Sequence, residues 1–96
     1  MPRVQVVIPN WNGRHLLSRC LDALYRQTFK DFAITVVDNG SIDGSVAWLQ
    51  EHAPFVQVIA NATNRGFAAA VNQGIQASES EYIATLNNDT EPEPGW

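Results

Sequence analysis

The feature that most limits what this chain can fold into is a repeated switch of periodicity. Four short apolar, β-rich runs alternate with segments whose apolar residues recur at helical spacing. Val4-Gln5-Val6-Val7-Ile8 reads as a first strand, stopped by Pro9, and Phe32 to Val37 as a second, apolar enough to be buried on both faces. Phe55 to Ala60 and Tyr82 to Leu86 read as a third and a fourth. Between the first two, from His15 to Gln27, Leu16, Leu17, Cys20, Leu21 and Leu24 form one helical face, with Arg14, Arg19, Asp22 and Arg26 largely off it. A short helix carrying Val46, Trp48 and Leu49, capped by Ser41 or Asp43, fills the second gap. A small-residue helix from Gly66 to Ala77, with Phe67, Ala70, Val71 and Gly74, fills the third and has the side chains to pack close against a sheet. The order β-α-β-α-β-α-β predicts half of a doubly wound parallel sheet, with strand order 3-2-1-4.

In such sheets ligands bind outside the carboxyl ends of the strands, where the strand order reverses. The residues to examine are therefore Pro9-Asn10-Trp11-Asn12-Gly13, Asp38-Asn39-Gly40-Ser41, Asn61 to Gly66, and Asn87-Asn88-Asp89. Strand-to-helix turns favour Asn, Asp, Gly and Ser in any case, so no single turn is diagnostic. The four together, on one rim, make the stronger case. Neither G-x-G-x-x-G nor G-x-x-x-x-G-K-[ST] follows the first strand, so no glycine-rich helix start is present to hold a pyrophosphate. A metal ion is the natural substitute, and Asp89 is placed to hold one. Trp11 is either a lid on the core or an apolar wall for a nucleobase, with Asn10 and Asn12 offering hydrogen bonds at its edge. Asp38 can tie its own turn by accepting backbone N–H groups, and the Asn39 carbonyl can accept a pyrimidine N3–H.

Composition excludes other classes. The net charge is -4 with no cluster of Lys or Arg, so nucleic acid is not an expected partner. The single cysteine, Cys20, rules out an intrachain disulfide and a cysteine-based metal site. No apolar run is long enough to span a bilayer, and the first residues do not form a signal peptide, so a cytoplasmic chain is the default. A dinucleotide-dependent oxidoreductase lacks its glycine fingerprint, and a phosphoacceptor signalling domain would need acids where Asn10 and Asn12 stand.

The segments VVIPNWNG, LLSRCLDALYRQTFKDFAITVVDNGSIDGS, NRGFAAAVNQG and YIATLNNDTEPEPGW together resemble the N-terminal half of family 2 glycosyltransferases, which have the Rossmann-like GT-A fold. LNNDT and NRGF look most like rhamnosyltransferase-type members. The resemblance implies inverting, metal-assisted transfer of a sugar from UDP or dTDP to a hydroxyl of a glycan or lipid-linked acceptor. It implies that Pro9, Trp11 and Asn12 line the nucleoside pocket, and that Asn39 occupies the position that accepts the uracil or thymine N3–H. Asn87-Asn88-Asp89 matches the D-x-D element, with Asp89 left as the ligand for Mg²⁺ or Mn²⁺ and Asn88 facing the ribose or diphosphate. Arg65, within an N-x-G…N-x-G element formed by Asn64, Gly66, Asn72 and Gly74, is a further contact for phosphate or sugar. Glu91 and Glu93 are expected to be solvated, with Pro92, Pro94 and Trp96 leading into a following segment. Residues 1–96 then correspond to the donor-binding part, without the acceptor-binding half and its general base, inactive alone and open to dimerisation through an exposed sheet edge. The full-length enzyme would be cytoplasmic or membrane-associated. The rival reading is a non-catalytic nucleotide-binding or degenerate module on the same scaffold.

Overall fold

A computed structural model describes residues 3–89. The elements run β1 (Val4–Asn10), α1 (Arg14–Tyr25), β2 (Phe32–Asp38), α2 (Ser45–His52), β3 (Gln57–Ala60), α3 (Phe67–Ala77) and β4 (Tyr82–Thr85). The four strands form one parallel sheet in the order β3-β2-β1-β4, as the alternation of patterns predicts. Thr90 to Trp96, including Glu91, Pro92, Glu93, Pro94 and Trp96, lie outside the described residues.

The two faces of the sheet are sorted by strand alternation. Val6 and Ile8 of β1 and Ile34 and Val36 of β2 point to one side and pack with Leu17, Cys20, Leu21 and Leu24 of α1 and Leu49 of α2. Val7 and Val37 point to the other side, where they meet Ala70 of α3. Burial on both faces explains why β1 and β2 read as near-continuous apolar runs. The buried polar exceptions satisfy one another: Gln5 Nε2 donates to Thr35 Oγ1 at 2.6 Å, and Thr35 Oγ1 donates to Gln57 Oε1 at 3.1 Å.

Pro9 does not stop β1, which continues to Asn10 in register with Asp38. The Leu86 amide donates to Val7 O, so residue 7 and, two residues on, residue 9 turn their backbone groups toward β4. The ladder with β4 ends at Val7↔Thr85, so the N–H that proline lacks has no ladder partner to lose there. β3 is shorter than the apolar run suggests. Phe55 is 62% exposed and outside the strand, while Val56 is buried without being part of it. Phe67 is likewise exposed, and α3 packs on the sheet through Ala70 and Gly74 instead. Gly44, not Ser41 or Asp43, occupies the N-cap of α2, without a side-chain cap bond. Asp43 Oδ1 nonetheless accepts from the Ser45 amide at 3.0 Å.

Gly74 sets how closely α3 approaches the sheet, because a Cβ there would overlap the Cγ1 of fully buried Val7. In an exposed helix Gly→Ala gains about 1 kcal/mol. Overpacking at a site that cannot move costs about 1–3 kcal/mol. Gly74→Ala is therefore expected to lower the stability measured by urea unfolding. A stabilised variant would contradict the close approach.

Candidate functional site

The carboxyl ends of β1, β2 and β4 are joined by a line of polar side chains, buried at Asn10 and Asp38 and half-buried at Asn88. Asp38, at the end of β2, is 1% exposed. Its Oδ1 accepts from Asn10 Nδ2 at 2.9 Å and from Ser41 Oγ at 2.6 Å, and its Oδ2 accepts from the Ser41 amide at 2.9 Å. A carboxylate only accepts. Asp38 therefore holds the amino group of Asn10 toward itself and turns the Asn10 carbonyl the other way. That carbonyl accepts from Asn88 Nδ2 at 2.7 Å, across to the loop after β4. Gly13 packs against this last bond, and a Cβ there would strike both Asn88 Nδ2 and Asn10 Oδ1.

The loop after β1 is held to the loop after β2. The Asn12 amide donates to Ser41 Oγ at 2.8 Å, and Asn12 Oδ1 accepts from the Ile42 amide at 2.8 Å. Asn12 takes a left-handed φ of 50°, a conformation in which Asn is favoured over most residues. Asp43 Oδ2 adds a bond from the Arg14 amide at 3.0 Å. Burial pushes the Asp43 carboxyl up, but hydrogen bonds from the Ser45 hydroxyl and the Arg14 and Ser45 amides outweigh it and hold the group below its usual value. Trp11 projects between these anchored neighbours and is 57% exposed, so it is no lid on the core.

Beyond β4, Leu86 is buried and Asp89 is exposed. Cys20 of α1 lies beneath this loop, its thiol directed at Asn87 O at 3.9 Å. Burial first, and then the nearby Asp89 carboxylate, push the Cys20 thiol up to about 11, so it is inert. Among the described residues no three His, Cys, Asp or Glu side chains gather as a preformed metal cage. A lone exposed carboxylate suits a hard divalent ion completed by phosphate oxygens and water, which is how Mg²⁺ is commonly held.

Pro9, Asn10, Trp11, Asn12, Asp38, Asn88 and Asp89 thus all belong to the β1, β2 and β4 ends, and three of them are bonded in series. Asn39 and Arg65 form a second group beside β3. Asn39 Nδ2 donates to Gly66 O at 3.0 Å, and its Oδ1 accepts from Asn61 Nδ2 at 3.1 Å and the Arg65 amide at 3.3 Å. The sequence marks Ser41 only as a turn or cap residue and does not single out Gln73, which forms a reciprocal amide pair with Asn61 at 2.7 and 2.8 Å. Gln73 directly precedes Gly74 in α3, and that position carries no signal that it reaches back to a loop.

The sequence model of glycosyl transferase family 2 matches residues 5–96, and the chain belongs to that family. It is 36% identical over 90 residues to an uncharacterized glycosyltransferase of Nostoc, covering 91% of this chain and 28% of that protein. It is 32% identical over 97 residues to chondroitin synthase of Escherichia coli, covering 98% of this chain and 14% of that one. The chain therefore spans less than a third of either relative. Among solved structures, a mannosyltransferase of Pyrobaculum calidifontis in complex with GDP-Man and Mn²⁺ superposes with a TM-score of 0.81 at 27% identity, over 92% of this chain and 28% of that one. TarS of Staphylococcus aureus in complex with UDP superposes at 0.82 and 23% identity, over 91% and 27%. The fold is the Rossmann-like GT-A arrangement.

Replacing Asp38 by Asn keeps its shape but sets an N–H₂ group where three donors converge. Asp38→Asn is expected to lose about 1–3 kcal/mol in urea unfolding. A variant of full stability would show that the carboxylate does not organise the rim.

Proposed function

We propose that this rim is the donor half-site of a glycosyltransferase that moves a sugar from UDP or dTDP to an acceptor hydroxyl with inversion. The observation that carries the reading is the Asn88–Asn10–Asp38 series, which holds the loop bearing Asp89 against the loop bearing Trp11. The exposed ring of Trp11 offers a face to the nucleobase, and Pro9, Asn10 and Asn12 form the floor and edge beside it. Asn88 faces the ribose or diphosphate, and Arg65 reaches phosphate or sugar from the β3 side. Asp89 would hold Mg²⁺ or Mn²⁺, and the need for such an ion is supported by the Mn²⁺ of the mannosyltransferase complex. When bound, the ion neutralises charge on the leaving diphosphate, where it is worth most as that charge develops.

In the reaction the acceptor oxygen forms a bond to the anomeric carbon as the bond to the diphosphate breaks, and a carboxylate base takes the hydroxyl proton. The base is placed outside residues 1–96, which would act as the donor-binding part of a longer enzyme, a reading supported by the small share of each relative that the chain covers. The LNNDT and NRGF segments favour a rhamnosyl-type donor, and the family resemblance a glycan or lipid-linked acceptor. No described helix is long and apolar enough to cross a membrane. The edge of β4, which among the described residues pairs only with β1, is where a second copy would add. A non-catalytic module on this scaffold is the second reading, favoured by Asn87 at the first acidic position of the D-x-D element and by Asn39 in place of an acid.

Calorimetric titration of UDP and dTDP with Mn²⁺ tests the reading. Binding is expected to need the metal, and to weaken at least about tenfold in a folded Asp89→Ala variant. Metal-independent binding, or an unaffected variant, would sink it.

A further inference from the structure

Position 39 is where a base-reading acceptor is expected, yet its side-chain oxygen is already engaged within the protein. An amide oxygen has two lone pairs. At Asn39 they take bonds from Asn61 Nδ2 and the Arg65 amide. Asn61 is itself fixed by its reciprocal pair with Gln73. Asn39 is 4% exposed, and its amino group donates to Gly66 O. That same carbonyl accepts from the Ala70 amide at 3.2 Å, the first bond of α3. Asn64 closes the turn from the other side, its Oδ1 accepting from the Gly66 amide at 2.8 Å.

A second contact joins the same two loops. Gly40 has a φ of 81°, and a Cβ there would come within 2.9 Å of the Thr63 backbone. The turn after β2 is thus seated on the loop between β3 and α3 by packing as well as by hydrogen bonds. Chemistry also distinguishes this amide from a carboxylate at the same position. A carboxylate could accept from Asn61 and Arg65, but could not donate to Gly66 O and would repel it. Only Asn makes all three bonds.

We propose that Asn39 is a positioning residue that holds the Asn64-Arg65-Gly66 turn, and through Arg65 acts on the diphosphate, so that position 39 does not read the nucleobase. This rests on the donor-site reading and changes what the residue does within it. Loss of the amide then weakens every nucleotide diphosphate alike, because the part of the ligand affected is the part they share.

The test has two arms on the folded chain with Asn39→Ala, Asn39→Asp and Arg65→Ala, folding being checked by circular dichroism. In the ligand-free arm, hydrogen exchange of the Arg65 amide is expected to accelerate several-fold in both position-39 variants. Unchanged exchange would overturn the claim that Asn39 holds the turn. In the binding arm, Mn²⁺ with UDP or GDP is titrated into each variant. Both ligands are expected to weaken by the same factor, on the order of tenfold, and Asn39→Ala is expected to add little to Arg65→Ala in the double variant. A loss confined to UDP, or an Asn39→Asp variant that binds UDP as well as the parent, would overturn the proposal in favour of base reading. Absence of binding by the parent chain removes the donor-site reading and the diphosphate half of this proposal, while the exchange arm still decides the turn.

Discussion

A single buried carboxylate, Asp38, dictates how the carboxyl rim is arranged. It accepts three hydrogen bonds at the end of the second strand and has no proton to give. Its neighbours must therefore all present donors, and an amide that presents its amino group to one side presents its carbonyl to the other. Asn10 transmits that polarity across β1 to Asn88, and Ser41 transmits it to the Asn12 amide. Three loops that follow three different strands are held in one orientation by bonds that cannot be reversed singly. Such fixed polar series suit a site that must meet a charged ligand without rearranging.

The sheet supplies the place for this series. β1 lies between β2 and β4, so the crossover direction reverses at its end, the place where ligands bind in such sheets. Close packing keeps this rim fixed. Gly74 lets α3 sit directly on Val7, and Gly13 leaves room for the Asn88–Asn10 bond. In both places glycine is required by the approach of other atoms and not by its own dihedral angles. The side chains exposed above this packed base, Trp11 and Asp89, are the apolar and the charged element that a nucleotide with its metal would use.

Much of this was legible in the sequence, because strand order and helix faces follow from periodicity. Leu17, Cys20, Leu21 and Leu24 recur as a buried helical stripe, and Val4 to Ile8 and Phe32 to Val37 carry the apolar density of doubly covered strands. Boundaries were less legible where a tertiary neighbour decides them. Pro9 is admitted to β1 because the ladder on its β4 side has already ended, and Phe55 leaves β3 although its type suits a strand. The rim was legible as a set of strand ends but not as a set of bonds. The sequence offers Asn39 as a free acceptor, whereas the fold brings Asn61, Arg65 and Gly66 to it and engages both ends of the amide. Polar side chains in loops carry no pattern that tells which will be spent on the protein.

The central claim, that the carboxyl rim receives a nucleotide diphosphate and its metal, is tested most directly by paramagnetic broadening of backbone amide resonances. Mn²⁺ added in trace amounts with UDP is predicted to broaden the amides of residues 87–89 first. Those of residues 10–13 should follow, while the opposite end of the sheet, near Phe32 and Tyr82, stays sharp. Broadening centred elsewhere, or uniform along the chain, would contradict the account.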